Sequence, residues 1–308
     1  MNQHIRTIAI LGAGAVGSYL VMGLSDKYKE NLWVIADGER KDRLAKNGLN
    51  INDKVYSLHI KTPAEAHGVD LLFVCTKYTQ LRDSLPDIET ITGEHTMVVS
   101  LLNGVDSEEL IGQRIGMEHM IYSLIRIAYH RIGNSIHFSL PKGYNGIYIG
   151  IPNQPACQDP RLAAIAEIFA DTPVTLHLSD DILLDMWDKF GLNVSRNLPQ
   201  AILGVGIGVY DDSIYADAIM RKMRHEVVLV ANAKGIPLTD EFKAAKWLPS
   251  QRYSTLQDLD AHRHTEIDMF SGALIRMGKE VGVECPYNEM TYNLIKALEE
   301  KNDGKFDY

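Results

Sequence analysis

The chain has 308 residues, 45% of them hydrophobic, and a formal net charge of −9. That length favours two domains, and the composition is that of a globular protein able to bury a sizeable core. The acidic balance argues against nucleic acid or an anionic membrane surface as the main partner, while a small anionic ligand remains compatible through local basic residues.

Cys75, Cys157 and Cys285 show no paired spacing, which fits a reducing compartment and gives no support for a disulfide framework or a zinc site. No apolar run reaches the roughly 18 residues that span a bilayer, and the opening residues run into a strand pattern rather than a signal peptide. A cytoplasmic protein with no membrane partner is the expectation.

In chain order, short β-rich apolar runs occur at Ile8–Leu11, Leu32–Ala36, Leu71–Cys75 and Met97–Leu101, with longer and more polar segments between several of them. Buried strands alternating with helical crossovers imply a largely parallel sheet covered on both faces. Met120–Ala128 and Gly146–Gly150 read as further strands at a mixed edge. From Asp180 the texture becomes helical, with apolar residues at helical spacing over Asp180–Asn197, Ala216–Gly235 and Asn288–Lys301. Ser179 or Asp180 is a candidate N-cap for the first, and Gly235-Ile236-Pro237 stops the second. The pattern predicts an α/β Rossmann-type doubly wound sheet over 1–178, followed by a mainly α-helical domain over 179–308.

Gly12-Ala13-Gly14-Ala15-Val16-Gly17 follows the first strand and opens a helix. Gly12 permits a tight turn, Gly14 lets the backbone approach a pyrophosphate, and Gly17 lets the helix pack on the sheet with its amides facing the anion. In that context the motif predicts dinucleotide binding. The second strand ends at Ala36-Asp37-Gly38-Glu39-Arg40-Lys41, where two signals conflict. Asp37 suits the ribose 2′-hydroxyl of NAD, whereas Arg40 with Lys41 suits the 2′-phosphate of NADP. Lys77 and Asn103 follow the next two long strands at their carboxyl ends, where open α/β sheets place ligands.

Further on, Lys189, Asn193 and Asn197 are spaced four apart on one predicted helix and so share a face. Such a stripe is either solvent-facing or a grip for a small polar ligand. Ser254, Asp258, His262 and Glu266 have the same spacing and read as a possible single polar helix face. His262 and His264 have no evident third ligand, so no metal site is expected.

Five features together resemble the ketopantoate reductase (2-dehydropantoate 2-reductase) family: GAGAVGS at the start, Cys75-Thr76-Lys77, Leu102-Asn103-Gly104, Trp187-Asp188-Lys189-Phe190 with Asn193 and Asn197, and Tyr253–Asp258 followed by Thr265–Asp268. The resemblance implies an active site in a cleft between the two domains and NADPH-dependent reduction of ketopantoate to pantoate, a step of pantothenate synthesis. Lys189 matches the catalytic lysine and Glu266 its partner carboxylate. Asn193, Asn197 and Ser254 match keto-acid positions, and Lys77 and Asn103 match positions beside the cofactor. NADP is the implied cofactor, with NAD admitted by Asp37, which stands where the family often has arginine. Leu203–Asp211 lacks an asparagine that some members direct at substrate, and His262 stands where glycine is frequent. Such enzymes lead one to expect a homodimer, although no coiled coil or repeated interface motif specifies it.

Overall fold

The computed structural model describes residues 4–139, 145–242, 248–306 and 308. The chain divides into two compact units, Met1–Leu183 and Leu184–Tyr308.

The first unit runs β1 (Ile8–Leu11), α1 (Ala15–Tyr28), β2 (Leu32–Ile35), α2 (Gly38–Asn47), β3 (Leu49–Ile51), β4 (Lys54–Tyr56), β5 (His59–Lys61) and β6 (Leu71–Val74). It continues through α3 (Tyr78–Ile91), β7 (Met97–Ser100), α4 (Ser107–Ile115), β8 (Met120–Arg126), β9 (Ala128–Ile132), β10 (Ser135–Ser139), β11 (Gly146–Gly150), α5 (Pro160–Phe169) and β12 (Leu176–Leu178). An eight-stranded sheet has the order β12-β11-β8-β7-β6-β1-β2-β5. Neighbouring strands are parallel except β8 and β11, so the mixed edge read from the sequence is present.

Side-chain alternation explains why the central strands read as continuous apolar runs. Ile8, Ile10, Leu71, Phe73, Met97 and Val99 join one core with Leu20 and Leu24 of α1 and Ile165 and Phe169 of α5. Their alternates Ala9, Leu11, Leu72, Val74 and Val98 join a second core with Leu81 and Ile88 of α3 and Ile111 of α4. Successive side chains point to opposite faces, and here both faces are covered. The unit is a doubly wound Rossmann-type domain.

A second sheet, β4-β3-β10-β9, was not evident from the sequence. Its strands are three to five residues long, and β9 is exposed throughout. The Asn52-Asp53 turn between β3 and β4, with φ of +49° and +62°, is a hairpin signal of the kind Asn and Asp favour.

The second unit is helical: α6 (Ile182–Leu192, entering from the end of the first unit), a π-helical segment (Asn193–Asn197), α7 (Leu198–Leu203), α8 (Val209–Asp212), α9 (Ile214–Ala233), α10 (Ser254–Asp260), α11 (Ser271–Val281) and α12 (Pro286–Asn302). The expected N-cap shifts. Ser179 Oγ accepts from the Asp181 amide at 3.3 Å, while the Asp180 carboxylate accepts from the Ala156 amide at 2.8 Å, and the helix starts at Ile182. The π segment has a local cause. Pro199 carries no amide proton for the carbonyl four residues back, and Ser195 Oγ donates to the Gly191 carbonyl at 2.7 Å, so the ladder widens there.

The predicted polar face over Ser254–Glu266 is not one helix. After α10, His262 adopts φ +50°, and the Arg263 amide bonds the Asp258 carbonyl at 2.8 Å. That left-handed closure ends the helix, and Glu266 lies in the turn before α11.

Candidate active site

In the first unit the carboxyl ends of β1, β2, β6 and β7 carry the sequence-predicted cofactor residues. The strand order reverses at β1, with β2 on one side and β6 on the other, and ligands of open α/β sheets bind at such a switch point. Gly12 has φ +110°, and a Cβ there would lie 2.6 Å from the Cys75 carbonyl group. A Cβ on Gly17 would collide with the Gly12 carbonyl oxygen. These two positions are closed by the protein itself.

Gly14 differs, because a Cβ there would meet nothing within 4 Å. It N-caps α1, whose first turn holds no acidic residue and whose leading amides have no intrahelical acceptor. Ala13, Ala15 and Val16 are half-buried against the core beneath. An open backbone cradle at the positive end of a 14-residue helix fits a dinucleotide pyrophosphate.

A cleft of ≈ 260 Å³ beside this turn is lined by Gly12, Asp37, Arg40, Thr76, Asp83 and Asp87, among others. Asp37 N-caps α2 through its backbone, and its carboxylate makes no capping bond. Asp83 and Asp87 come from α3 and were not singled out in the sequence, since their place depends on β6 lying beside β1. Burial, and then the charge of Asp37, raise the Asp87 carboxyl above the usual range. Lys41 pairs with Glu65 at 3.2 Å, and Glu65 is itself held by the Thr62 amide at 2.7 Å. The Thr62 amide, then Lys41 and the Thr62 hydroxyl, lower the Glu65 carboxyl to about 2.

Lys77 N-caps α3 and is exposed, while Asn103 is half-buried just after β7. The segments on either side of Asn103 are tied together by a buried network. Ser123 Oγ donates to the Ser100 carbonyl, Ser100 and Ser107 hydroxyls share a 2.8 Å bond, and Ser107 Oγ donates to Glu108 Oε2 at 2.9 Å. Burial pushes the Glu108 carboxyl up to about 8, against the lowering effect of the Ser107 bond. The sequence hint was Glu108 at the start of α4, in an apparently ordinary acidic first turn.

In the second unit Lys189 sits half-buried on α6 and Asn193 and Asn197 on the π segment. Asn197 Nδ2 donates to Asn193 Oδ1 at 3.2 Å, so two members of the predicted stripe do meet. Trp187 and Phe190 are buried and stack edge-to-face at 5.6 Å. Ser254 is exposed at the first turn of α10, and the preceding Tyr253 amide donates to the buried Gln200 of α7 at 2.9 Å. Glu266 is half-buried, and its neighbour Thr265 donates both amide and hydroxyl to the buried Glu299 at 2.7 Å.

Arg224 of α9 is another residue that sequence reasoning missed. It is 1% exposed and pairs with Asp188 at 3.3 Å. Its guanidinium also donates to the Asp188 carbonyl at 3.4 Å and the Thr239 carbonyl at 2.8 Å. A Cβ on Gly191 would collide with Arg224 Nη1, so the glycine admits the guanidinium against α6. The available signal was a lone arginine on the buried stripe Met220, Met223, Val227 and Ala231. His264 meets Asp303 at 2.9 Å, and no cluster of three or more metal-ligating side chains occurs among the described residues.

A doubly wound dinucleotide-binding unit in one chain with a helical unit bearing a lysine-asparagine stripe defines a nicotinamide-dependent oxidoreductase. The family model described as ketopantoate reductase PanE/ApbA matches residues 8–154, and its C-terminal counterpart matches residues 181–299. The chain belongs to the ketopantoate reductase family. It is 27% identical to a 2-dehydropantoate 2-reductase of Streptococcus pyogenes, covering 95% of this chain and 97% of that one. A 2-dehydropantoate 2-reductase of Pyrococcus horikoshii is 28% identical, with 96% and 99% covered. Among solved structures, D-mandelate dehydrogenase with NADH and anilino(oxo)acetate is similar at a TM-score of 0.81 and 26% identity, with 96% and 99% covered. Among the described residues no helix is long and apolar enough to cross a membrane.

Proposed function

We propose that this chain reduces the 2-keto group of 2-dehydropantoate to the alcohol of pantoate, a step of pantothenate synthesis. A reduced nicotinamide dinucleotide supplies the hydride when bound. The chain must then hold the keto acid, stabilise the charge that develops on the carbonyl oxygen, and deliver one proton to it. Gly14 and the first-turn amides of α1 hold the pyrophosphate on a turn that Gly12 and Gly17 make possible, with Lys77 and Asn103 toward the nicotinamide.

In this reading Lys189 is the general acid. Its ammonium stabilises the forming alkoxide and transfers a proton to it, leaving an amine that solvent reprotonates. Glu266 orients that ammonium and accepts from the substrate hydroxyl. Asn193, Asn197 and Ser254 present amide and hydroxyl groups to the keto acid. The observation that carries the reading is the joined Asn193–Asn197 pair one turn beyond Lys189, on a helix braced from behind by Arg224.

A second reading, reduction of a different 2-keto acid, is supported by the likeness to D-mandelate dehydrogenase and by the Leu203–Asp211 segment without its asparagine. Initial rates of dihydronicotinamide oxidation separate the two. Saturable consumption with 2-dehydropantoate is expected, and consumption only with other aliphatic or aromatic 2-keto acids would favour the second reading. Lys189→Ala is expected to lower kcat by about 10²- to 10⁴-fold with a smaller change in KM. Unchanged turnover would remove Lys189 from the chemistry.

A further inference from the structure

We infer that Asp37, Asp83 and Asp87 select against a 2′-phosphate, so that this chain takes NADH in preference to the NADPH implied by the family resemblance. The inference rests on the dinucleotide reading above and deepens it.

The tip of β2 is where the adenosine ribose of a bound dinucleotide lies, and its 2′ substituent meets the residues that follow that strand. In this chain the adjacent cleft presents three carboxylates, Asp37 from the start of α2 and Asp83 and Asp87 one turn apart on α3. Among the described residues none of the three is ion-paired or hydrogen-bonded through its side chain. Two of them feel each other, since the charge of Asp37 adds to burial in raising Asp87.

The cations that could answer a phosphate are largely engaged. Lys41 is held by Glu65 at 3.2 Å, and Glu65 is fixed by Thr62. Lys61 lies over the Trp33 ring at 3.5 Å. Arg40 is the single cation among the residues lining the cleft, facing three carboxylates.

A ribose 2′-hydroxyl needs only one of these carboxylates, because it donates to Asp37 at the tip of β2 while Asp83 and Asp87 contribute negative charge alone. A 2′-phosphate instead brings a dianion against like charge, and neither side has a proton to share. Discrimination of this kind comes from building a repulsive element against the wrong ligand as much as from gripping the right one.

The test is direct binding, without keto acid, of NADH and NADPH to the full chain, read by quenching of protein fluorescence. The Kd for NADPH is expected to exceed that for NADH by about tenfold or more, a gap of about 1.4 kcal/mol. Asp83→Asn/Asp87→Asn is expected to narrow the gap by tightening NADPH while leaving NADH little changed. Raising salt should narrow it in the parent chain, as expected of partly exposed charges. NADPH binding as tightly as NADH would overturn the preference, and an unchanged gap in the double variant would overturn the role of α3. Binding of neither would overturn the dinucleotide reading as well. Retained NADH binding with no turnover of 2-dehydropantoate would count against the substrate reading alone.

Discussion

Replacing Arg224 with methionine tests whether the helix carrying Lys189 is held from behind by a buried charge. Asp188 and Arg224 side chains are 5% and 1% exposed, so the pair has almost no access to water. Removing the guanidinium leaves the Asp188 carboxylate buried without its cation, and strips donors from the Asp188, Thr239 and Glu241 carbonyls. Breaking one side of such a pair costs about 3–5 kcal/mol, a large part of the roughly 5–15 kcal/mol that holds a domain together. A melting point lower by roughly 10 °C is expected. Replacing Asp188 with leucine in the same chain should recover much of that loss, because two apolar residues leave no stranded charge. Urea unfolding of both single variants and the double closes the cycle. A single-variant loss below about 1 kcal/mol, or additive losses, would refute the brace. The brace also predicts that Arg224→Lys loses stability and turnover despite retaining charge, because an ammonium cannot reproduce the fork that spans Asp188 and Thr239.

Other positions give independent tests. Gly14→Ala should keep the parent melting point, since its Cβ meets nothing within 4 Å, yet weaken NADH binding by about tenfold or more by obstructing the phosphate approach; Gly12→Ala, pressed against the Cys75 backbone, should unfold more easily, and equal behaviour of the two would defeat the distinction. Glu108 has its carboxyl raised by burial to about 8, so the folded state binds a proton that the unfolded state releases: its stabilising effect is full below about pH 4.5 and is lost as pH climbs through 8. Glu108→Gln should flatten this decline, which amounts to at most on the order of 5 kcal/mol, and a pH–stability curve identical to the parent's would refute the assignment. His262→Gly should raise stability by about 0.5–1 kcal/mol in urea unfolding by relieving the left-handed strain at φ +50°, and a loss would mean that the imidazole makes a contribution outweighing it.

How far the fold could be read from the residues depended on whether burial wrote itself into local pattern. The strands β1, β2, β6 and β7 were legible because both faces are covered and every residue except Ser100 at the end of β7 is apolar. The second sheet was not, because Leu49–Ile51, Lys54–Tyr56 and the exposed Ala128–Ile132 are too short and polar to reveal a period. Periodicity also ran unbroken through Asn193–Asn197, since a widened turn changes the hydrogen-bond ladder without changing residue types, and only Pro199 hinted at it. The same blindness to backbone joined Ser254 and Glu266 into one face, where a single left-handed residue, His262, separates them. Charge partners were the least legible feature. Asp188 and Arg224 lie on different helices, and nothing in either local sequence names the other. The cleft beside the tip of β2 has the same character. Asp37 follows β2 and was seen, whereas Asp83 and Asp87 enter only because β1 lies between β2 and β6, bringing the middle of α3 near the tip of β2. On the NADH preference inferred above, cofactor choice is a property of strand order as much as of the residue at the end of β2. A substitution at Asp37 alone should shift the balance toward NADPH only partway, with Asp83 and Asp87 accounting for the remainder.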